Sequence, residues 1–138
     1  MEAIVLVGPQ GAGKSSWYLA NCADTHVRIN LDMLRTRNRE SVLLHACLSV
    51  GQAFVVDNTN PTSAGRARYV ALARAAGFRT RAVVFDVALE TALSRNALRE
   101  GKRRVPDIAV RGTFAKLEPV VETEGFDEVV YLEVNDDE

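Results

Sequence analysis

The sequence predicts an α/β fold, a three-layer sandwich in which a mostly parallel, five-stranded sheet carries helices on both faces. Short apolar runs alternate along the chain with stretches whose apolar residues recur at helical spacing, which is the pattern of β-α-β units. The connections between them are short, so right-handed crossovers within one sheet are the default arrangement. We place the strands at residues 3–7, 27–30, 53–57, 82–85 and 129–132.

Composition is consistent with one soluble domain. The 138 residues are 47% hydrophobic and 25% charged, which is ordinary for a globular protein. With a net charge of −1, binding to a nucleic acid would depend on local basic patches. We expect residues 1–134 to form the domain and residues 135–138 an acidic tail.

The same bulk features predict a cytoplasmic location. No apolar run reaches membrane-spanning length, and we expect no signal peptide before the first strand. Cys22 and Cys47 lie in predicted helices and lack metal-ligand spacing. They therefore indicate buried thiols of a reducing compartment.

A glycine-rich loop follows the first strand and leads into a helix. Two glycines five apart, followed by Lys and Ser, fit the phosphate-loop pattern. Glycines let backbone N–H groups point towards phosphate oxygens, and the start of the helix adds its positive dipole end. Lys14 is expected to reach the β- and γ-phosphates, and the Ser15 hydroxyl to ligate Mg²⁺. The predicted nucleotide site comprises Gly8, Pro9, Gln10, Gly11, Ala12, Gly13, Lys14, Ser15 and Ser16.

The second strand leads into a segment with one carboxylate and one guanidinium. Asp32 and Arg35 are three residues apart, so they share one face if the segment turns helically. A carboxylate there can accept the proton of a nucleophile, and a guanidinium can hold an anionic part of an acceptor. The alternative is a solvated surface ion pair.

The third strand ends in Asp57, where a second magnesium carboxylate would hold the ion through water. Its alternative role is to cap the turn at residues 58–61. That turn is predicted to start a helix with Pro61 at its first position, and the helix is expected to stop at Gly77.

Three further helices are predicted from apolar spacing. The first, at residues 40–50, would turn Leu43, Ala46, Cys47 and Val50 inward and end at Gly51, with His45 on its flank as a surface or packed histidine. A helix after the fourth strand would bury Leu89, Ala92 and Leu93, and the last would cover residues 107–118. Trp17 and Tyr18 are expected to be core residues rather than a base-stacking surface.

A cluster of cations precedes the last helix. Arg95 and Arg99 lie one turn apart on the same helix face. Because the cluster comes just before a proline-containing connection, it predicts a helical lid at about residues 95–110 that closes over a triphosphate. A cation bridging β- and γ-phosphates can raise the rate by about 10³–10⁵. The alternative is a solubilising helix end. The cations are Arg95, Arg99, Lys102, Arg103 and Arg104, opposed by Glu100.

Three of the predicted strand ends carry polar or glycine-rich sequence, at residues 8–15, 30–35 and 57–60. Ligands of such folds bind beyond the carboxyl ends of the strands. If the strands are parallel, these segments meet at one edge of the sheet, which predicts an active site there.

Together these motifs resemble the 5′-kinase module of polynucleotide kinases over nearly the whole chain. The phosphate loop alone is shared by many NTPases, but its combination with Asn-x-Asp-x-x-Arg and Asp-Asn-Thr-Asn-Pro is far more specific. Arg95, Asn96 and Arg99 with residues 105–106 resemble the family's lid. The other matching segments are residues 13–17, 30–35, 57–61, 66–70 and 75–77.

The resemblance implies a P-loop kinase-type domain that transfers the γ-phosphate of ATP, with Mg²⁺, to the 5′-OH end of DNA or RNA. It implies that Asp32 is the general base and that Arg35 holds the acceptor phosphate. The predicted catalytic residues are Asp32, Lys14 and Arg99. Arg95, Arg99 and Arg103 join the loop in binding ATP, Ser15 and Asp57 hold the metal, and Arg35, Asn58, Arg66 and Arg68 bind nucleic acid.

Other functions stay open at this point. The chain lacks the Asp-x-Asp-x-Thr phosphatase motif of the better-known enzymes, so a stand-alone kinase or a module of a larger protein is expected. A small-metabolite kinase on the same fold suits the near-neutral charge, although Arg35, Arg66 and Arg68 argue against a neutral acceptor. An ATP-binding switch without transfer has no use for Asp32. DNA against RNA preference and oligomeric state are not predicted.

Overall fold

The computed structural model describes residues 1–135 and confirms the predicted α/β class. The strands are Glu2–Val7 (β1), Val27–Ile29 (β2), Phe54–Val56 (β3), Arg79–Val87 (β4) and Glu128–Val134 (β5). They form one sheet with the order β2-β3-β1-β4-β5, and each neighbouring pair is parallel. β1 lies at the centre and is apolar and buried, as expected for a strand covered on both faces.

Helices cover both faces of the sheet and complete the three layers. They are Lys14–Asn21 (α1), Leu31–Leu34 (α2), Arg37–Val50 (α3), Ser63–Ala75 (α4), Leu89–Ala97 (α5) and Asp107–Lys116 (α6), with 3-10 turns at Gly101–Arg103 and Glu122–Glu124. One face packs against α3 and α4 through Leu44, Cys47 and Ala73, and the other against α1, α5 and α6 through residues such as Tyr18 and Val110.

The strand order places the phosphate loop at the point where the topology changes direction. β2 and β3 lie on one side of β1, and β4 and β5 lie on the other. The loop that follows β1 therefore lies at the carboxyl edge between the two halves of the sheet, where open α/β folds bind their ligands.

Two local predictions about the helices are wrong. α4 begins at Ser63, and Thr62 caps it by accepting the Gly65 N–H, so Pro61 precedes the cap. In α3 the buried stripe is Glu40, Leu44 and Cys47, while Ala46 and Val50 are exposed. The stripe was misplaced because its first member is a carboxylate, which an apolar pattern does not count.

Other local predictions are confirmed. Gly51 ends α3 in the left-handed conformation, Cys22 and Cys47 are buried free thiols, and Tyr18 is a core residue. Cys22 follows α1 directly rather than lying within it. Across residues 1–135, none of the helices is both long and apolar enough to cross a membrane. The predicted acidic tail falls almost wholly outside the described residues.

Candidate active site

The phosphate loop packs tightly against α5. Gly11 has a φ of +82°, and a Cβ there would lie 2.5 Å from the carbonyl oxygen of Ala92, so only glycine fits. The Gly8 N–H donates to the Thr59 carbonyl at 3.1 Å, which joins the loop to the segment after β3. α1 then begins at Lys14, with Gly13 as its N-cap. The loop therefore presents a helix N-terminus at the carboxyl edge of the sheet, a geometry suited to phosphate.

Lys14 points into the loop. Its Nζ donates to the carbonyl oxygens of Gly8 and Pro9, both at 2.8 Å. Burial lowers the pKa of Lys14 to about 8; the Arg99 charge adds to this effect, and the carboxylates of Asp57 and Asp32 oppose it. Lys14 therefore shares one electrostatic site with residues that lie just after β3, in α2 and just after α5.

We expect nucleotide affinity to depend on pH through Lys14. Bound phosphates favour the charged ammonium, so binding takes up a proton wherever free Lys14 is neutral, and affinity falls as pH rises through about 8. The dissociation constant for ADP should rise about tenfold between pH 7 and pH 9. Isothermal titration calorimetry across this range measures it. Lys14→Met should bind more weakly at pH 7 but without this slope, and a flat wild-type profile would contradict the assignment.

Ser15 and Asp57 form the oxygen pair predicted for a metal. The Ser15 hydroxyl donates to Oδ2 of Asp57 at 2.9 Å, and the Asp57 side chain is 2% exposed. Mg²⁺ prefers oxygen ligands and keeps several waters, so a hydroxyl and a carboxylate beside the phosphate loop fit this ion. Bound there, it would neutralise phosphate charge.

Arg28 of β2 contacts both members of this pair, and sequence reasoning missed it. Its Nε donates to Asp57 Oδ2 at 2.8 Å, and its Nη2 donates to the Ser15 hydroxyl oxygen at 3.0 Å. The available signal was that Arg28 is the single charged residue of the predicted second strand.

Two asparagines fasten α2 to the end of β3. The Asn30 side chain accepts from the Met33 N–H at 2.9 Å and donates to the Asp57 carbonyl at 2.6 Å. The Leu31 N–H donates to Asn58 Oδ1 at 2.9 Å. This short helix therefore holds Asp32 beside the phosphate loop, close enough for its charge to act on the pKa of Lys14.

Arg35 ends α2 in an uncommon backbone conformation. Its φ is +77°, which non-glycine residues rarely adopt and which is often found at functional sites. The side chain is exposed, and it makes no hydrogen bond or ion pair within residues 1–135. Arg35 is thus available to an external anion.

The predicted lid comprises the end of α5, the turn at Gly101–Arg103 and the start of α6. Arg95 Nε donates to the Gly11 carbonyl at 2.9 Å. Burial, then the Arg103 charge, lowers the pKa of Arg99, against the carboxylates of Asp57 and Asp32. The buried Asn96 bonds the N–H and C=O of Val105, which holds the segment between α5 and α6.

Glu40 is a second residue that sequence reasoning missed. It is fully buried, and Oε1 accepts from Arg37 at 3.0 Å, Arg68 at 3.0 Å and the Tyr69 hydroxyl at 2.9 Å. Oε2 accepts from Asn58 at 3.1 Å. Burial alone would raise the pKa of Glu40, but hydrogen bonds from Tyr69 and Arg68 and the Arg37 charge hold it below its usual value.

The prediction that Arg66 binds nucleic acid is wrong. Its side chain is 0% exposed and forms a double ion pair with Glu124, at 2.7 and 3.0 Å. It also donates to the carbonyls of Asn60 and Glu118. Arg68 also lies on α4 but outside its buried stripe, and 38% of its side chain is exposed. The Asn58 side chain accepts from the Leu31 N–H and donates to Glu40, so in the structure it positions α2 and α3.

The sheet order and the loop geometry define a kinase-type P-loop domain, a fold whose loop is suited to the phosphates of a nucleotide. More narrowly, the chain belongs to the AAA_33 family, described as an AAA domain, whose model matches residues 4–122. A gluconokinase from Sinorhizobium meliloti 1021 has the same fold, with a TM-score of 0.65 at 20% identity over 96% of this chain and 82% of that one.

Two curated relatives are both named as bifunctional polynucleotide phosphatase/kinases. The bifunctional polynucleotide phosphatase/kinase of Schizosaccharomyces pombe is 26% identical over 132 residues, which are 93% of this chain and 32% of that protein. An Acanthamoeba polyphaga mimivirus protein, provisionally named a bifunctional polynucleotide phosphatase/kinase, is 33% identical over 101 residues, 71% of this chain and 24% of that protein. The chain thus spans only about a quarter of one relative and about a third of the other.

Proposed function

We propose that this domain is an ATP-dependent polynucleotide 5′-hydroxyl kinase, which transfers the γ-phosphate of ATP to the 5′-OH end of DNA or RNA. The observation that carries the proposal is that α2, fastened to the end of β3, carries Asp32 and ends at Arg35, whose exposed side chain makes no hydrogen bond or ion pair among residues 1–135. A nucleotide-binding loop alone needs neither residue. The names of the curated relatives support the same acceptor.

The donor half of the proposed site binds ATP. The loop N–H groups and the start of α1 take the phosphate oxygens, and Lys14 reaches the β- and γ-phosphates. Ser15 and Asp57 would hold the Mg²⁺ ion. Arg99, supported by Arg95 and Arg103, neutralises charge that develops as the phosphoryl group moves.

The acceptor half positions the hydroxyl. The Asp32 carboxylate accepts the proton of the 5′-OH while that oxygen bonds to the γ-phosphorus, and the bond to the β,γ-bridging oxygen breaks to release ADP. Arg35 pairs with the acceptor phosphate next to the attacked hydroxyl. Arg37 and Arg68 both pair with Glu40 and keep 68% and 38% of their side chains exposed. They supply further positive charge for the nucleic-acid backbone.

A small-metabolite kinase is the second candidate, because the gluconokinase has the same fold. A neutral sugar or nucleoside acceptor would leave Arg35, the exposed Arg37 and the partly exposed Arg68 without an anionic group to bind. It predicts phosphate transfer to a sugar or nucleoside, with substrate affinity that salt hardly changes.

An acceptor panel tests the proposal. Radiolabelled ATP is supplied with 5′-OH DNA, 5′-OH RNA, mononucleotides and sugars, at two or more salt concentrations. We expect labelling of oligonucleotide 5′ ends, with a KM that rises as salt increases, because cationic side chains that bind phosphates release counterions. Transfer to sugars alone would overturn the proposal in favour of the metabolite kinase. ATP binding without transfer to any acceptor would overturn both.

A further inference from the structure

Arg28 is a charged residue at the site that the proposed chemistry does not use. It extends from β2, an edge strand of the sheet, and its side chain is 30% exposed. The guanidinium makes two hydrogen bonds, one to the Asp57 carboxylate and one to the Ser15 hydroxyl. These are the two oxygens that the proposed function assigns to Mg²⁺.

The contacts of these two oxygens leave little capacity for a metal ion. Asp57 Oδ2 accepts from both Ser15, at 2.9 Å, and Arg28, at 2.8 Å. The Ser15 oxygen, which donates its proton to Asp57, accepts from Arg28 at 3.0 Å. A metal ion, or a water bound to it, needs a free lone pair on the oxygen that it contacts, so the Arg28 guanidinium and hydrated Mg²⁺ compete for Asp57 Oδ2 and the Ser15 oxygen.

Charge leads to the same conclusion. Arg28 and Asp57 form an ion pair in which the carboxylate is almost completely buried. Lys14 and Arg99 already place two positive charges in the field of Asp57. A divalent cation added while Arg28 stayed in contact would meet the charges of Arg28, Lys14 and Arg99 against those of Asp57, Asp32 and the nucleotide phosphates. Release of Arg28 removes the nearest of these repulsions.

We propose that Arg28 is a resident cation of the metal position, which competes with Mg²⁺ for Asp57 and Ser15 and must release both before Mg²⁺–nucleotide binds. The inference rests on the proposed function for its metal site. Arg28 thereby sets the magnesium concentration that the domain requires. It also keeps the buried Asp57 carboxylate paired when no nucleotide is bound.

The test measures ADP affinity as a function of free Mg²⁺ concentration, by calorimetry from EDTA to millimolar Mg²⁺. The wild type is compared with Arg28→Met. The Mg²⁺ concentration giving half of the affinity gain should be roughly tenfold lower in the variant, because charge-assisted hydrogen bonds no longer oppose the metal. The affinity in EDTA is the baseline of each protein, and the Mg²⁺ midpoint is measured relative to that baseline. An unchanged or higher Mg²⁺ requirement would overturn the inference.

Arg81→Met is the matched control. Arg81 has a similar exposure, 27%, and pairs with Glu2 at 3.1 Å, away from the phosphate loop. Its variant should keep the wild-type Mg²⁺ requirement. If neither the wild type nor the variants bind ADP, the nucleotide site itself is overturned. ADP binding with an identical Mg²⁺ requirement in all three proteins overturns the role of Arg28 alone.

A measurement on the wild type covers the case in which Arg28→Met does not fold. The Arg28 Nε–H donates to a buried carboxylate, so its proton should exchange slowly with water and give an observable ¹H–¹⁵N NMR signal. The signal is assigned by its absence in Arg28→Lys, which lacks this group. We expect the signal to persist with ADP and EDTA and to shift or broaden when Mg²⁺ is added. A signal that Mg²⁺–ADP leaves unmoved would contradict the competition.

Discussion

Replacing Asp32 with Asn is expected to lower kcat for phosphate transfer to an oligonucleotide 5′ end by about 10²–10⁴-fold, the usual contribution of a general base. The amide keeps the size and shape of the side chain but cannot accept the hydroxyl proton. Steady-state kinetics with a 5′-OH oligonucleotide measure the loss. ADP affinity should change little, because the loop, Lys14 and Ser15 provide the donor contacts.

The position of Asp32 makes this a test of chemistry rather than of folding. Asp32 is exposed on α2, while Asn30 and Asn58 hold that helix in place. Surface substitutions of this kind usually change stability by less than about 0.5 kcal/mol. Asp24→Asn, at an exposed carboxylate in the turn before β2, is the matched control and should retain the wild-type rate. Wild-type turnover by Asp32→Asn would exclude Asp32 as the base.

The donor half of the site could be predicted because its determinants are local in sequence. A strand, a glycine loop and a helix follow one another, and positions such as Gly11 admit a single residue type. The meeting of residues 8–15, 30–35 and 57–60 at one edge also follows from the strand pattern, since parallel strands end on the same side.

The partners of charged side chains could not be predicted in this way. Arg28 contacts Asp57, 29 positions away, and Arg68 contacts Glu40, 28 positions away. Neither pair has a local signature, because the first joins β2 to the end of β3 and the second joins α4 to α3, and both form only in the finished fold. Glu40 is the clearest example, since a carboxylate in a helix is ordinarily read as exposed.

The partner of Arg66 could not be predicted either, because Glu124 lies 58 positions away in the sequence. Among the substitutions considered, truncation of Arg66 should lower stability most. Residues 66, 69, 70 and 73 form the buried stripe of α4, so the guanidinium enters the core and not the solvent. There it joins α4 to the segment before β5 through Glu124 and the carbonyls of Glu118 and Pro119.

We expect Arg66→Ala to lower the free energy of unfolding by about 3–5 kcal/mol, because it leaves a buried carboxylate and several carbonyls without their donor. Urea denaturation at pH 7 measures the loss. Arg74→Ala is the control on the same helix: Arg74 is exposed and makes one bond, to the Gly125 carbonyl, so its loss should stay below about 1 kcal/mol. Equal losses in the two variants would contradict the structural role.

The pH dependence of the same variant separates the ion pair from simple loss of volume. Arg66 and the Val121 N–H hold the pKa of Glu124 below its usual value, although burial opposes them. A depressed carboxyl pKa stabilises the fold above the unfolded value of about 4.5, and that stability disappears as pH falls through the folded value. The difference between wild type and Arg66→Ala should therefore shrink on acidification below pH 4.5. A difference independent of pH would mean that Arg66 stabilises the fold by packing alone, whereas a nucleic-acid role would instead appear in the salt dependence of oligonucleotide KM.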